Sequence, residues 1–262
     1  MNIRRSRTLE LLRAGKIVMS VKLNTTDPRV VEIAAMMGIP CIWVDMEHTP
    51  NDYFVTENQI RAGKIYDTDI LVRVPRGSYS DYIRPLELDA AGIMVPHVMS
   101  VEDAKKVVHM TRFHPIGRRP MDGGNADGNY CNIPSAAEYN RQCNEQRFTI
   151  FQIEDPEAMD QIEEIAQVPG YDILFYGPGD YSHSIGHSGD MSHPDVVAGF
   201  KKVADAARKY GKFAGTVGSP ANAKELVEMG YQFINLGSDV GALSNFFRGL
   251  SEFAQSVPAN LL

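Results

Sequence analysis

Eight short, mostly continuous apolar runs recur along the 262-residue chain, with longer amphipathic stretches between them. The runs are "IVMSVKL" from Ile17, "CIWVDME" from Cys41, "DILVRVP" from Asp69 and "GIMVPHV" from Gly92. They continue with "FTIFQIED" from Phe148, "DILFYGPGD" from Asp172, "KFAGTVGS" from Lys212 and "YQFINLGSD" from Tyr231. Runs that are apolar throughout, rather than alternating, suit strands covered on both faces. The segments between them include "VVEIAAMMG", "VEDAKKVVHMTRFH", "AMDQIEEIAQVPG", "VVAGFKKVADAARKYG" and "ANAKELVEMG". These carry helical spacing, and several end in Gly, a usual helix stop. Eight strands, each followed by a helix, predict a single-domain (β/α)8 barrel, the TIM barrel, over residues 1–262. A doubly wound open sheet is the alternative, but no GxGxxG follows the first strand.

The rhythm is broken once. Residues 115–147, "PIGRRPMDGGNADGNYCNIPSAAEYNRQCNEQR", separate the fourth helix from the fifth strand. The Gly-, Asn- and Asp-rich first half reads as loop, the second half as a short helix. A long insertion in a compact domain is either functional or disordered, and its arginines and Tyr130 favour function.

Several function classes are excluded early. The net charge of −7 leaves no broad basic footprint for nucleic acid. No apolar run is long enough to span a bilayer, and the basic, amphipathic start "MNIRRSRTLELLRAGK" lacks the h-region of a signal peptide. Cys41, Cys131 and Cys143 cannot all pair within one chain and form no CxxC. A cytoplasmic protein without structural zinc is therefore expected.

In such a barrel the site forms at the C-terminal ends of the strands. There the sequence places Asp45, Glu47 and His48 after the second strand and Arg73 on the third. The fifth strand contributes Gln152, Glu154 and Asp155, and the sixth Gly177, Pro178, Gly179 and Asp180. Gly215, Thr216 and Val217 end the seventh, and Gly237, Ser238 and Asp239 the eighth. Any one of these could be a loop cap or a surface ion pair, but together they converge on one rim. Glu154 and Asp180 end neighbouring strands and make an oxygen-rich site suited to Mg²⁺ or Mn²⁺. The competing reading is that Asp180 only caps its turn. His48 is the natural general base. His97 is a weaker candidate, equally read as a packed barrel residue. His183, His187 and His193 share one loop and read as solvent-facing. A barrel arginine such as Arg73 needs an anionic partner, whether Glu47, a substrate oxygen, or both.

With these residues in view, the chain resembles the HpcH/HpaI aldolases, the metal-dependent class II pyruvate aldolases. Within that family it is similar to 4-hydroxy-2-oxoheptanedioate and 2-keto-3-deoxy-sugar-acid aldolases. The resemblance spans residues 9–250. It rests on "VDMEH" (44–48), "VRVP" (72–75), "GIMVPHV" (92–98), "RFHPIGRR" (112–119), "FQIED" (151–155) and "GPGDYS" (177–182). It implies reversible cleavage of a 4-hydroxy-2-oxo acid to pyruvate, or a close 2-oxo acid, and an aldehyde. It also implies a divalent cation (Mg²⁺, Mn²⁺ or Co²⁺) and a homohexamer, a trimer of dimers, often with the last helix exchanged. By the same resemblance Glu154 and Asp180 are the metal ligands, His48 the base, and Arg73 the group steadying the enolate oxygen. Gln152, Val217 and the backbone N–H groups of Gly179 and Asp180 fall in the substrate pocket.

Three departures stand out. The aspartate that orients the family's histidine becomes Glu87 when aligned on "VP". The usual RG pair after the fourth helix is replaced by Arg119 and Pro120, followed by "MDGGNADGNY", which the family would place on the aldehyde side. Lys22 stands late in the first strand, where some members carry an apolar aromatic; it reads as an anion contact or a charge partner rather than a Schiff-base lysine. Rival functions are a CoA-ester lyase of the citrate or malyl-CoA type and a non-catalytic, metal-dependent 2-oxo-acid binding protein.

Overall fold

All eight apolar runs become strands, and they close on themselves. The computed structural model describes residues 2–257. The chain opens with α1 (Arg7–Arg13), β1 (Val18–Leu23), α2 (Pro28–Met36), β2 (Cys41–Asp45), α3 (Tyr53–Lys64), β3 (Asp69–Arg73) and α4 (Tyr79–Glu87). It continues with β4 (Gly92–Val95), α5 (Val101–Thr111), α6 (Ala136–Gln146), β5 (Phe148–Ile153), α7 (Pro156–Asp160), α8 (Ile162–Gln167) and β6 (Ile173–Tyr176). It ends with α9 (Pro178–Ser184), α10 (Pro194–Lys209), β7 (Phe213–Val217), α11 (Ala223–Met229), β8 (Tyr231–Ser238) and α12 (Asp239–Ser256). The strands pair in sequence order, all parallel, and β8 returns to β1. This is the TIM barrel that the strand rhythm predicts. The one predicted helix that differs is "AMDQIEEIAQVPG", which splits into α7 and α8. At the break Gln161 leaves helical geometry, and its side chain accepts from the Val101 N–H at the start of α5.

Two apolar cores follow from the two faces of each strand. One lies between sheet and helices and holds Ile42, Val44, Val72, Ile93, Phe151 and Leu174. The other fills the barrel, with Cys41, Trp43, Leu71, Met94, Ile150, Phe175 and Phe233. Leu9 and Leu12 of α1 belong to the inner core and close its lower end. Side chains two positions apart share a face. Asp45, Arg73 and Gln152 therefore form the next inward positions up, and Lys22, level with Trp43, reaches up to them. The lower end of the barrel interior is closed by these side chains, so the inward polar layer opens towards the upper rim.

The insertion departs from expectation. Arg119 does not stand at the upper rim. Its side chain is buried against Asp127 (2.8 Å), which also accepts from the Tyr139 hydroxyl (2.8 Å), and it lies 4.8 Å from the centre of the Phe113 ring. Phe113, Tyr139 and Cys143 form a small core with Ile3. Gln142 accepts from the Ile3 N–H, tying the insertion to the chain's start at the lower rim. An apolar cluster and a buried ion pair thus hold Arg119 away from any aldehyde bound in the same chain. Arg119→Ala should cost about 3–5 kcal/mol by leaving Asp127 buried without its cation. Denaturant midpoints check this; a fully stable variant with altered aldehyde preference would contradict it.

Candidate active site

The rim is organised around a carboxylate that water cannot reach. Asp45, the last residue of β2, is fully buried and lies opposite Arg73 in the β2–β3 register. Arg73 grips it with two bonds, Nε to Oδ1 (2.9 Å) and Nη2 to Oδ2 (2.6 Å). Lys22 Nζ approaches Oδ2 from β1 at 2.8 Å. Both cations also lie over Trp43, with Arg73 Cζ 4.8 Å and Lys22 Nζ 5.4 Å from its ring centroid. Burial alone would raise the Asp45 pKa. The hydrogen bonds and charges of Arg73, with those of Lys22, outweigh it and bring it down to about 2. The sign is then fixed. A carboxyl lowered in the folded state adds stability above its ordinary pKa of 3.8 and loses it as pH falls through about 2. Urea midpoints across this acid range should therefore fall in the wild type. Asp45→Asn should flatten that segment while being weaker at neutral pH; an unchanged slope would contradict the assignment.

Beyond the strand end, Glu47 and His48 turn over the layer. Glu47 Oε2 lies 3.1 Å from Arg73 Nε, without hydrogen-bond geometry, and 3.4 Å from His48 Nε2. His48 itself is exposed. The local turn is held from below: Asn51 donates to the Asp45 carbonyl (2.8 Å), and Thr49 also donates to it.

Across the mouth stand the residues of β5 and β6. Glu154 is buried, and Gln152 donates its amide N–H to it. Gly177 packs closely against this pair: a Cβ at that position would sit 2.5 Å from Glu154 Oε2 and would push the carboxylate aside. Burial lifts the Glu154 pKa most. His97's charge and backbone N–H and the Arg73 charge pull it down, Asp180 pushes it up, and the net value is about 7. Gly179 and Asp180 are exposed in the first turn of α9, where helical N–H groups lack partners within the helix. Val217 ends β7, half-buried against the inner core.

His97 is the residue that sequence reasoning underrated. Its backbone is left-handed (φ 49°), a strained conformation for a non-glycine residue. That turn aims its N–H at Glu154 Oε1 (3.1 Å) and its Nδ1 at Asp155 Oδ2 (3.0 Å). Its Nε2 lies 3.9 Å from Glu47, so it bridges the two acidic sides of the mouth. Burial disfavours its charged form, but Glu154, Asp155 and Glu47 prevail and raise its pKa. The available signal was a histidine ending the strand beside the Glu154 strand.

Glu87 is not brought to His48. It is the last residue of α4, which descends from the upper rim, so it stands at the lower one. Burial raises its pKa, and the charges acting on it include Arg119, Asp127 and Asp122, all from the insertion. Within one chain the His48–Glu87 dyad does not form; Glu47 is the carboxylate beside His48. The loop histidines form no metal cluster either. His187 stacks on His193, their centroids 3.8 Å apart, and His183 bonds to Ser188. Among the described residues, no group of three or more His, Cys, Asp and Glu side chains is placed to hold a metal without further ligands.

Fold and rim together define a (β/α)8 barrel with an acidic, arginine-centred cluster at the C-terminal ends of its strands. Comparison with known proteins makes this specific. Residues 19–245 match the model of the HpcH/HpaI aldolase/citrate lyase family, and the chain belongs to that family. It is 31% identical to a hydroxypyruvate/pyruvate aldolase of Pseudomonas aeruginosa over 97% of this chain and 95% of that one. It is 30% identical to a 5-keto-4-deoxy-D-glucarate aldolase of Klebsiella pneumoniae, over 92% and 93%. The crystal structure of an HpcH/HpaI aldolase from Desulfitobacterium hafniense DCB-2 superposes with a TM-score of 0.90. That structure shares 29% identity and covers 96% of this chain and 97% of its own.

Proposed function

We propose that the chain is a class II aldolase that reversibly cleaves a 4-hydroxy-2-oxo acid to pyruvate, or a close 2-oxo acid, and an aldehyde. The observation that carries this reading is that Arg73 and Asp180 both act on the buried Glu154 at the barrel mouth, with His48 exposed beside Glu47. Two features fit a hard divalent cation (Mg²⁺, Mn²⁺ or Co²⁺) at Glu154 and Asp180. Gln152 Oε1 beside them is buried and has no protein hydrogen-bond partner. The lifted Glu154 carboxyl would also regain its charge beside a cation. Such an ion, when bound, supplies Lewis-acid polarisation of the 2-oxo group.

The chain's own residues do the rest. First-turn N–H groups of Gly179 and Asp180 receive the substrate carboxylate. Arg73, fixed by Asp45, presents its guanidinium to the 2-oxo oxygen and steadies the negative charge that grows there as the C3–C4 bond breaks. His48, beside Glu47, takes the proton from the 4-hydroxyl and returns it in the synthetic direction. Val217 packs against the apolar part of the donor.

Assembly belongs to the same reading. In one chain α12 leaves Leu243, Phe246, Phe247, Leu250 and Phe253 exposed, an apolar face of the kind that marks an interaction surface. A second copy covers it in the proposed hexamer, where a His48–Glu87 dyad would have to form between copies. Light scattering tests this, and a monomer would contradict it. The activity itself is tested by offering pyruvate, a panel of aldehydes and Mg²⁺, Mn²⁺ or Co²⁺, with product mass as readout. Carbon–carbon bond formation without any thioester is expected. Turnover only with CoA esters would assign the CoA-lyase chemistry instead, and binding without turnover a binding protein.

A further inference from the structure

Lys22 and Arg73 share one fully buried carboxylate, and this sharing has a chemical consequence. Arg73 is 4% exposed and has two acids against it, Asp45 by two hydrogen bonds and Glu47 at 3.1 Å. A guanidinium facing two carboxylates has its charge more than cancelled, and so presents little positive field to a third oxygen. Lys22 corrects the count. Its ammonium, 2.8 Å from Asp45 Oδ2, neutralises the acid that Arg73 also holds. Both cations rest on the Trp43 ring, which fixes their positions from below. The register explains why Lys22 can do this: it lies beside Trp43 across the β1–β2 pair, and Asp45 lies beside Arg73 across β2–β3. Three adjacent strands thus deliver cation, anion and cation to one cluster. Lys22 remains 19% exposed while Asp45 has no exposure, so the acid depends on these two cations for its charge.

We infer that Lys22 is a positioning residue that holds Asp45 in common with Arg73, leaving the Arg73 charge available to the developing enolate oxygen. The inference rests on the aldolase reading above and adds a role for a residue outside the substrate-binding set. Charge balance gives it a signature that packing does not. Lys22→Met removes one positive charge and leaves Asp45 to Arg73 alone. Lys22→Met combined with Asp45→Asn removes one charge of each sign and restores the balance.

The test follows exchange of pyruvate methyl protons in deuterated buffer with Mg²⁺ or Mn²⁺. Calorimetric binding of pyruvate and of oxalate, a planar dianion resembling the enolate, runs alongside. Lys22→Met should slow exchange by about tenfold or more and weaken oxalate more than pyruvate. Lys22→Arg should recover most of the rate, and the Lys22→Met/Asp45→Asn double variant should exchange faster than Lys22→Met. A non-additive cycle of this sign is what charge coupling between contacting residues produces. Melting temperatures confirm that each variant is folded. Additive losses in the double variant, or equal weakening of oxalate and pyruvate, would make Lys22 a structural contact and overturn the inference. If the wild type neither exchanges pyruvate protons nor binds oxalate, the aldolase reading fails and this inference with it.

Discussion

His48→Ala is expected to lower kcat for aldol cleavage by about 10²–10⁴-fold, the usual worth of one positioned acid–base group. Metal and pyruvate binding should persist, because His48 lies outside the Glu154–Asp180 pair and the α9 turn. His48 is exposed beside Glu47 and packs into no core, so the variant should also keep its melting temperature. The paired measurement is pyruvate affinity by calorimetry and cleavage rate in the same preparation. An unchanged rate in a folded, pyruvate-binding protein would remove His48 as the base. The role of Glu87 is separable in the same way. Since α4 carries it to the lower rim of its own chain, mixing His48→Ala with Glu87→Gln subunits should restore activity if neighbouring copies complete the dyad. Failure of mixed assemblies to recover any activity would contradict an intersubunit role.

Arg73→Lys is expected to cost about 10²–10³-fold in kcat, the scale found for losing one donor to a developing oxyanion. The change keeps the charge but loses the fork. A lysine cannot hold both oxygens of Asp45 and still face the substrate. KM for the 2-oxo acid should move less than kcat, because the interaction strengthens only as charge develops. Steady-state kinetics with a fixed aldehyde checks this; a change confined to KM would make Arg73 a simple substrate anchor.

The barrel was legible because its strands are apolar on both faces, a signal that persists without any knowledge of what packs against them. That Glu154, Asp180, His48 and Arg73 stand at or just beyond strand ends was legible for a related reason: strand ends point to one rim once the fold is known. Four residues needed the structure. Arg119 looked like a rim residue because its buried partner, Asp127, lies in a loop whose path the sequence does not specify. Glu87 was placed by its distance from Val95–Pro96, which ignores that α4 has descended a full barrel height by that point. His97 and Lys22 each looked ambiguous alone. Their meaning lies in neighbours on adjacent strands, Glu154 for one and Asp45 for the other.

In the proposed reaction Glu154 and Asp180 hold the ion that supports enolate chemistry on a 2-oxo acid. The most direct measurement is pyruvate methyl-proton exchange in deuterated buffer by metal-stripped protein, before and after adding Mg²⁺ or Mn²⁺, in wild type and Glu154→Gln. Negligible exchange is expected after stripping, with recovery on adding the ion and none in Glu154→Gln. Full exchange by the stripped protein, with borohydride trapping pyruvate on Lys22, would contradict this role of the pair.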